Sequence, residues 1–451
     1  MPSLPPFTVE TLRRSLADVA AKANPEMIQR LRDQATEILN ELPATAAGAA
    51  ASAVDSVMTA SAPARHTVRR WIDSHTAGSA AVFNATGVLL GDDGYTGSPI
   101  SEDVLVAGAE FADRSRIPGP GFARRADAIL SSIDAPGWSP GDNEMLVWSS
   151  MAAAVGMTAA MTEIEPTLHR SQSMRIPVCG SKRPSDGSSA DTRPQPMHHW
   201  MRAMGLAYRE TGSVDGVQSD DFAGGDVTVW VSMGQPATQA PQIPDGHRID
   251  VLPAATLRPI DGADFEPAAA SVTTSFASGA SAVVFDPSVM MGGPPCGVVI
   301  GPRAMIAKLK GHPMYALLAA DPATIAMAWA AMATEPEHQP QTAARLCTVN
   351  VDNLRTRAER MMVRLGVHPD LGDMRVTDDD ARICLGDGPR IPSRQCAIQT
   401  ADAENLRRKF AEGDSGLRLM GRDGELRIDF RWLHPSADDG VARIILGERQ
   451  S

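Results

Sequence analysis

Lysine is almost absent from this sequence. Of its 42 basic residues only Lys22, Lys182, Lys308, Lys310 and Lys409 are lysines, which leaves 37 arginines. Chemistry that starts from a lysine amine therefore has few places to stand. Cysteine is equally scarce: Cys179, Cys296, Cys347, Cys384 and Cys396 are odd in number and too far apart for a CxxC pair. That excludes a disulfide framework and the usual zinc or redox motif, and it fits a reducing compartment. Aromatic residues make up only 4% of the chain, so the core must be aliphatic, filled in part by its 22 methionines. No run of about eighteen uninterrupted apolar residues occurs, so no membrane span is expected. The start, MPSLPPFTVE, lacks the basic segment and apolar run of a secretory signal, and the expected location is cytoplasmic. Positive charge is in deficit, with a formal net charge of −12, which weighs against broad non-specific binding to nucleic acid. GxSxG, P-loop, GxGxxG and HExxH patterns are all missing, as is any Cys/His cluster, so no metal is expected.

What is present is the pattern of a large globular protein. With 43% hydrophobic and 21% charged residues, 451 residues suffice for two or three domains. Residues 1–70 read as a helical module and linker. There Asn24-Pro25 starts a helix with an apolar stripe, and Lys/Arg nearly balance Asp/Glu. Residues 71–344 alternate short apolar runs with helical or loop segments. The runs are Met145–Trp148, Val227–Val231, Ile249–Leu252, Ala282–Phe285 and Val298–Ile300. Such alternation predicts an α/β domain around a mainly parallel sheet. Residues 345–451 read as a small α+β domain, with a helix over 352–365 and a strand over 426–430. The polar stretches 180–196 and 234–246 read as surface loops.

Three places could carry chemistry. Ser149 and Ser150 follow a strand and open a helix-favouring run. A helix N-terminus there would offer unpaired N–H groups to an anion, although serine at that place also serves as a simple N-cap. Asp250 is read as ending an apolar strand, where carboxylates of open α/β sheets face the ligand crevice; capping of the next element is the other reading. His198-His199 share no helix face and suit a helix surface better than a metal. Asp378-Asp379-Asp380 reads as solvated surface.

The third place is VVFDPSVMMGGPPCGVVIG, residues 283–301. Two strand-like runs flank Gly292-Gly293-Pro294-Pro295, a heavily specified turn whose only reactive side chains are Asp286, Ser288 and Cys296. Together with VFNATGVLL at 82–90, WSSMAAAV at 148–155, Asp250 and DGELRIDFRWL at 423–433, it resembles the bacterial selenocysteine synthases. These L-seryl-tRNA(Sec) selenium transferases are pyridoxal-phosphate (PLP) enzymes.

The resemblance implies a PLP-dependent transferase fold, aspartate aminotransferase-like and of fold type I. It also implies sites built between subunits, hence a homodimer or larger homo-oligomer, with association with an intact family member a further option. In that family the lysine before Leu-Leu-Gly-Gly-Pro forms the Schiff base with PLP. Here Ser288-Val289-Met290-Met291-Gly292-Gly293-Pro294 puts Val289 there. Ser149-Ser150 stand where the family has asparagines, and the basic run after His312-Pro313 becomes Met314-Tyr315-Ala316-Leu317-Leu318. Asp250 matches the aspartate that pairs with the pyridine nitrogen. The expectation is a degenerate relative with no covalent aldimine and no catalytic residues, acting in binding or regulation. Ser149, Ser150 and Asp250 are then what remains for PLP or another phosphate-bearing ligand. The alternatives are an active PLP transferase or lyase using a displaced lysine such as Lys182, or a tRNA-binding remnant, against which the charge balance weighs.

Overall fold

The structure, a computed structural model, describes residues 82–90, 98–100, 102–112, 120–160, 247–333, 342–368, 371–384, 389–412, 416–422 and 424–447. It also describes five short strands between 167 and 231. All of these lie within the unit Ala80–Ser451. The expected helices of residues 10–42, Lys182, His198-His199 and most of the two polar loops fall outside the described residues.

The elements run β1 (Val82–Ala85), β2 (Val88–Leu90), α1 (Glu102–Ala112), α2 (Pro120–Ser131), β3 (Asn143–Trp148) and α3 (Met151–Ala160). The strands β4 (Thr167–His169), β5 (Arg175–Ile176), β6 (Gln195–Pro196), β7 (Arg209–Thr211), β8 (Val227–Val231) and β9 (His247–Leu252) follow. Next come α4 (Val272–Ala277), β10 (Ala282–Phe285), α5 (Pro287–Met291), β11 (Gly297–Pro302), α6 (Arg303–Gly311), α7 (Tyr315–Leu318) and α8 (Pro322–Ala333). The C-terminal part holds α9 (Ala343–Cys347), α10 (Val351–Leu365), β12 (Met374–Thr377), β13 (Asp380–Cys384), β14 (Arg390–Pro392) and β15 (Gln395–Gln399). It ends with α11 (Ala403–Glu412), β16 (Gly416–Arg422), β17 (Glu425–Asp429) and α12 (Asp438–Leu446).

Seven strands form the main sheet in the order β3-β11-β10-β9-β8-β4-β7. Only β11 runs against its neighbours, so the sheet is mainly parallel. Its strands β10 and β11 are apolar on both faces, as a sheet covered on two sides requires. Side chains alternate between the faces. Leu146, Trp148, Ile249, Val251, Val284 and Val299 pack with α3 and with Ile306 and Leu309 of α6. Met145, Val147, Leu252, Val283, Phe285 and Ile300 pack with Leu130 of α2, Phe276 of α4 and Trp329 of α8.

The C-terminal residues build a five-stranded sheet, β1-β16-β17-β15-β12, which takes its edge strand from residues 82–85. Leu354, Ala358, Met361 and Leu365 form the stripe of α10 that joins Cys396, Ile398, Leu426 and Ile428 in a third apolar cluster. A three-stranded sheet, β14-β13-β2, joins the N-terminal and C-terminal segments a second time. No helix of the described residues is long and apolar enough to cross a membrane.

Candidate functional site

The segment between β10 and β11 is where sequence and packing are most tightly bound. Asp286 caps α5, accepting a hydrogen bond from the Ser288 N–H at 2.8 Å, and Pro287 supplies the first helical φ. Gly292 ends α5 at φ 65°, the left-handed region where glycine carries no steric cost. Gly297 answers a different demand. A Cβ there would stand 2.4 Å from Ala154 Cβ and 2.6 Å from the Ser150 carbonyl oxygen, so β11 passes against α3 only because the side chain is missing. Gly292 thus serves turn geometry and Gly297 close packing.

Val289 lies inside α5 at 1% exposure, with Met290 and Met291 equally buried in the cluster that holds Phe285, Trp329 and Met332. Its carbonyl is engaged as well. Ser98 Oγ donates to it at 2.8 Å, the Ser98 N–H donates to the Ser288 carbonyl at 3.1 Å, and the Ala343 N–H donates to Ser98 Oγ at 2.6 Å. One serine therefore ties α5 to the start of α9.

The sheet register brings several of the expected residues to one edge. Trp148 faces Gly297, Val298 faces Phe285, and Phe285 faces Leu252. Ser149 and Asp286 follow directly on that row. Ser150 is the N-cap of α3, its Oγ accepting from the Ala153 N–H at 3.1 Å, and the Ser149 N–H donates to the Leu318 carbonyl at 2.9 Å. Both serines are exposed.

Asp250 differs from the expectation that it ends its strand. β9 continues through Val251 and Leu252, which pair with Val284 and Phe285, so the carboxylate lies two residues inside the edge. It is 1% exposed and held by Arg248, whose Nε and Nη2 donate to its two oxygens at 2.8 and 3.1 Å. Burial pushes the Asp250 carboxyl above its ordinary range, while the Arg248 guanidinium pulls the other way. The sequence reading missed Arg248, although the spacing i, i+2 within a strand already places it on the face of Asp250.

Asp286 is the other perturbed acid. Burial lifts it to about 7 against the pull of its hydrogen bonds to Ser288 and the Cys296 backbone. It thereby joins the two arms of the turn. Burial, with Asp286 beside it, pushes the Cys296 thiol well up, so that side chain is a neutral packing group.

PLP held as an imine needs an amine. Val289 offers none. The lysines of the described residues are Lys308, Lys310 and Lys409, and Lys310 pairs with Glu144 near the start of β3, far along the strand from Trp148. With Asp250 already paired, the described residues do not fit an imine-bound pyridoxal cofactor. Among them no group of three or more acidic, histidine or cysteine residues could hold a metal. The acidic run is ion-paired, Asp378 with Arg355 and Arg394, and Asp379 with Arg427.

Two of the resembling motifs meet in space. Asn84 Nδ2 donates to the Val88 carbonyl at 2.8 Å, and Thr86 Oγ1 donates to Asn84 Oδ1 at 2.7 Å, which folds the Asn-Ala-Thr-Gly turn on itself. Gly87, at φ 75°, admits Asp429, because a Cβ there would stand 2.7 Å from Asp429 Oδ2. Asp429 accepts from Ser393 Oγ, Gln395 Nε2 and the Arg431 N–H at 2.8–2.9 Å, and Trp432 Nε1 donates to the Gly87 carbonyl at 3.1 Å. Arg431 spends its guanidinium on the carbonyls of Leu346, Cys347, Val349 and Pro392. Through Nη1 and Nη2 of Arg431 and Nε1 of Trp432 this cluster holds backbone carbonyls, while Arg431 Nε is buried without a partner.

Comparison with known proteins bears on the motifs at 283–301 and 423–433. Residues 262–434 match the family model described as L-seryl-tRNA selenium transferase. The L-seryl-tRNA(Sec) selenium transferase of Klebsiella pneumoniae (strain 342) is 31% identical over 170 residues, which cover 35% of this chain and 36% of that protein. The enzyme of the same name from Salmonella arizonae is 30% identical over 169 residues, again 35% of this chain and 36% of that protein. The chain thus covers about a third of the length of the curated relatives it matches. Among solved structures, D-glucosaminate-6-phosphate ammonia-lyase has a TM-score of 0.55 at 14% identity, covering 82% of this chain and 96% of that one, a likeness of fold. Residues 262–434 are thus similar in sequence to the L-seryl-tRNA(Sec) selenium transferases, and the unit shares the fold of D-glucosaminate-6-phosphate ammonia-lyase.

Proposed function

We propose that this selenocysteine synthase-like protein performs no Schiff-base catalysis and acts instead by binding or regulation. One observation carries the reading. The side chain of Val289, which by the resemblance takes the place of the family's lysine, is sunk in an apolar cluster at 1% exposure. An isopropyl group forms no imine, and it packs in the cluster that holds Met290, Met291 and Trp329. The reading includes self-association, because sites on this fold are built between two subunits, and it admits pairing with an intact selenium transferase.

The test is covalent trapping. The full chain is incubated with PLP, reduced with borohydride, digested and searched by mass spectrometry for pyridoxyl-lysine. The expected result is no stoichiometric adduct. A stoichiometric adduct at any lysine overturns the reading, and one at Lys182, abolished by Lys182→Ala, would make the chain a PLP enzyme with a displaced amine.

A further inference from the structure

Arg248 and Asp250 form a buried unit that the proposed function leaves unused. In a strand, residues two apart share a face, and this face of β9 lies against α4. The guanidinium grips both carboxylate oxygens, at 2.8 and 3.1 Å, in a fork-on-fork pair. Its remaining donors reach the end of α4. Nη1 donates to the Ser278 carbonyl at 3.0 Å, and Nη2 also donates to the Ser275 carbonyl at 3.2 Å and to Ser278 Oγ at 2.6 Å. Carbonyls at a helix C-terminus lack intrahelical donors, so one side chain neutralises the aspartate and caps the helix together. Both residues are nearly closed to solvent, at 4% and 1% exposure.

We propose that Arg248 is a built-in cation that permanently occupies the charge site of Asp250, so that no ligand is recognised there through a protonated ring nitrogen. PLP proteins commonly meet the cofactor's pyridinium with an acidic partner. Here the acid has an internal partner. Val289 removes the covalent hold on a pyridoxal ring, and Arg248 removes the ionic one. The inference rests on Asp250 being the family's aspartate. A ligand cation would have to expel a buried guanidinium and break its bonds to the Ser275 and Ser278 carbonyls. Breaking a buried pair in this way costs about a hundredfold or more in affinity.

Pyridoxamine 5′-phosphate tests the idea, because it carries the same ring and phosphate but no aldehyde, and no lysine affects the result. Its binding is measured by fluorescence titration of the full chain, of Asp250→Asn, of Arg248→Ala and of the double variant. The native chain and Asp250→Asn are expected to bind equally weakly. Arg248→Ala is expected to gain at least tenfold in affinity, and the double variant to lose that gain. A native affinity that falls tenfold in Asp250→Asn overturns the inference, as does a folded Arg248→Ala with no gain. Should Arg248→Ala not fold, the native chain against Asp250→Asn decides alone. Asp250-dependent binding without a borohydride adduct would sink this inference and leave the proposed function standing. A borohydride adduct with no Asp250 dependence would do the reverse.

Discussion

Replacing Asp286 with asparagine isolates the cost of keeping a carboxylate inside the Gly-Gly-Pro-Pro turn. Asparagine keeps the carbonyl oxygen that caps α5 but never ionises. In the folded chain Asp286 titrates at about 7, against an ordinary value of 3.8. Between those values the folded state holds a proton that the unfolded state has released, so native stability falls as pH rises through this window and levels off above it. Each unit corresponds to about 1.4 kcal/mol. From pH 5 to pH 8 the stability advantage of Asp286→Asn over the native chain should therefore grow by about 2–3 kcal/mol, most of it below pH 7, and level off above pH 8. Urea unfolding of both proteins at half-unit steps from pH 5 to 8.5 measures this difference, in which other titrating groups cancel. A difference that is constant across the series, or that shrinks with rising pH, would refute the argument that burial dominates at Asp286.

Gly297→Ala should cost about 1–3 kcal/mol in urea unfolding, because its methyl group meets Ala154 and the Ser150 carbonyl, whereas Gly121→Ala in the exposed start of α2 should be neutral or stabilising. Arg431→Met strips the donor from four backbone carbonyls and should lower stability by about 3 kcal/mol or more, seen as a lower urea midpoint and poorer soluble yield. Ser98→Ala removes the link between the Val289 carbonyl and the Ala343 N–H and should cost about 1–3 kcal/mol, with faster amide exchange at Ala343 as its signature.

Several strands of the main sheet were legible because they are written as continuous apolar runs, whereas β4 and β7, Thr-Leu-His and Arg-Glu-Thr, carry none. Val227–Val231 and Ala282–Phe285 are the same in sequence and structure, and the stripe of α10 marks a helix that starts one residue earlier than expected. Ser149-Ser150 was readable as a strand-to-helix junction, and Ser150 does cap α3. The environment of Asp250 was harder. Val251 and Leu252 extend the strand beyond it, and its guanidinium partner gives a signal only when charges are sought at period two within an apolar run. The reason for Gly297 was not legible at all. The atoms that exclude a side chain there belong to residues 150–154, far away in the chain, and nothing local names them. The same holds for Gly87, whose neighbour Asp429 comes more than three hundred residues later.

That long reach has a consequence for how the chain is made. β1 pairs in parallel with β16, Val82 facing Gly416, and Trp432 closes onto Gly87. During synthesis, residues 82–87 emerge early and must wait until almost the whole unit has followed before their partners exist. The main sheet needs only residues up to about 302 and can form meanwhile. Its companion sheet cannot be completed before the end, and contacts of such separation are slow to close. Until then β1 is an unpaired strand with an exposed backbone edge, the segment of a nascent chain most open to pairing with a neighbour. Shortening the C-terminus before Gly416 would therefore strand an edge more than three hundred residues upstream of the cut.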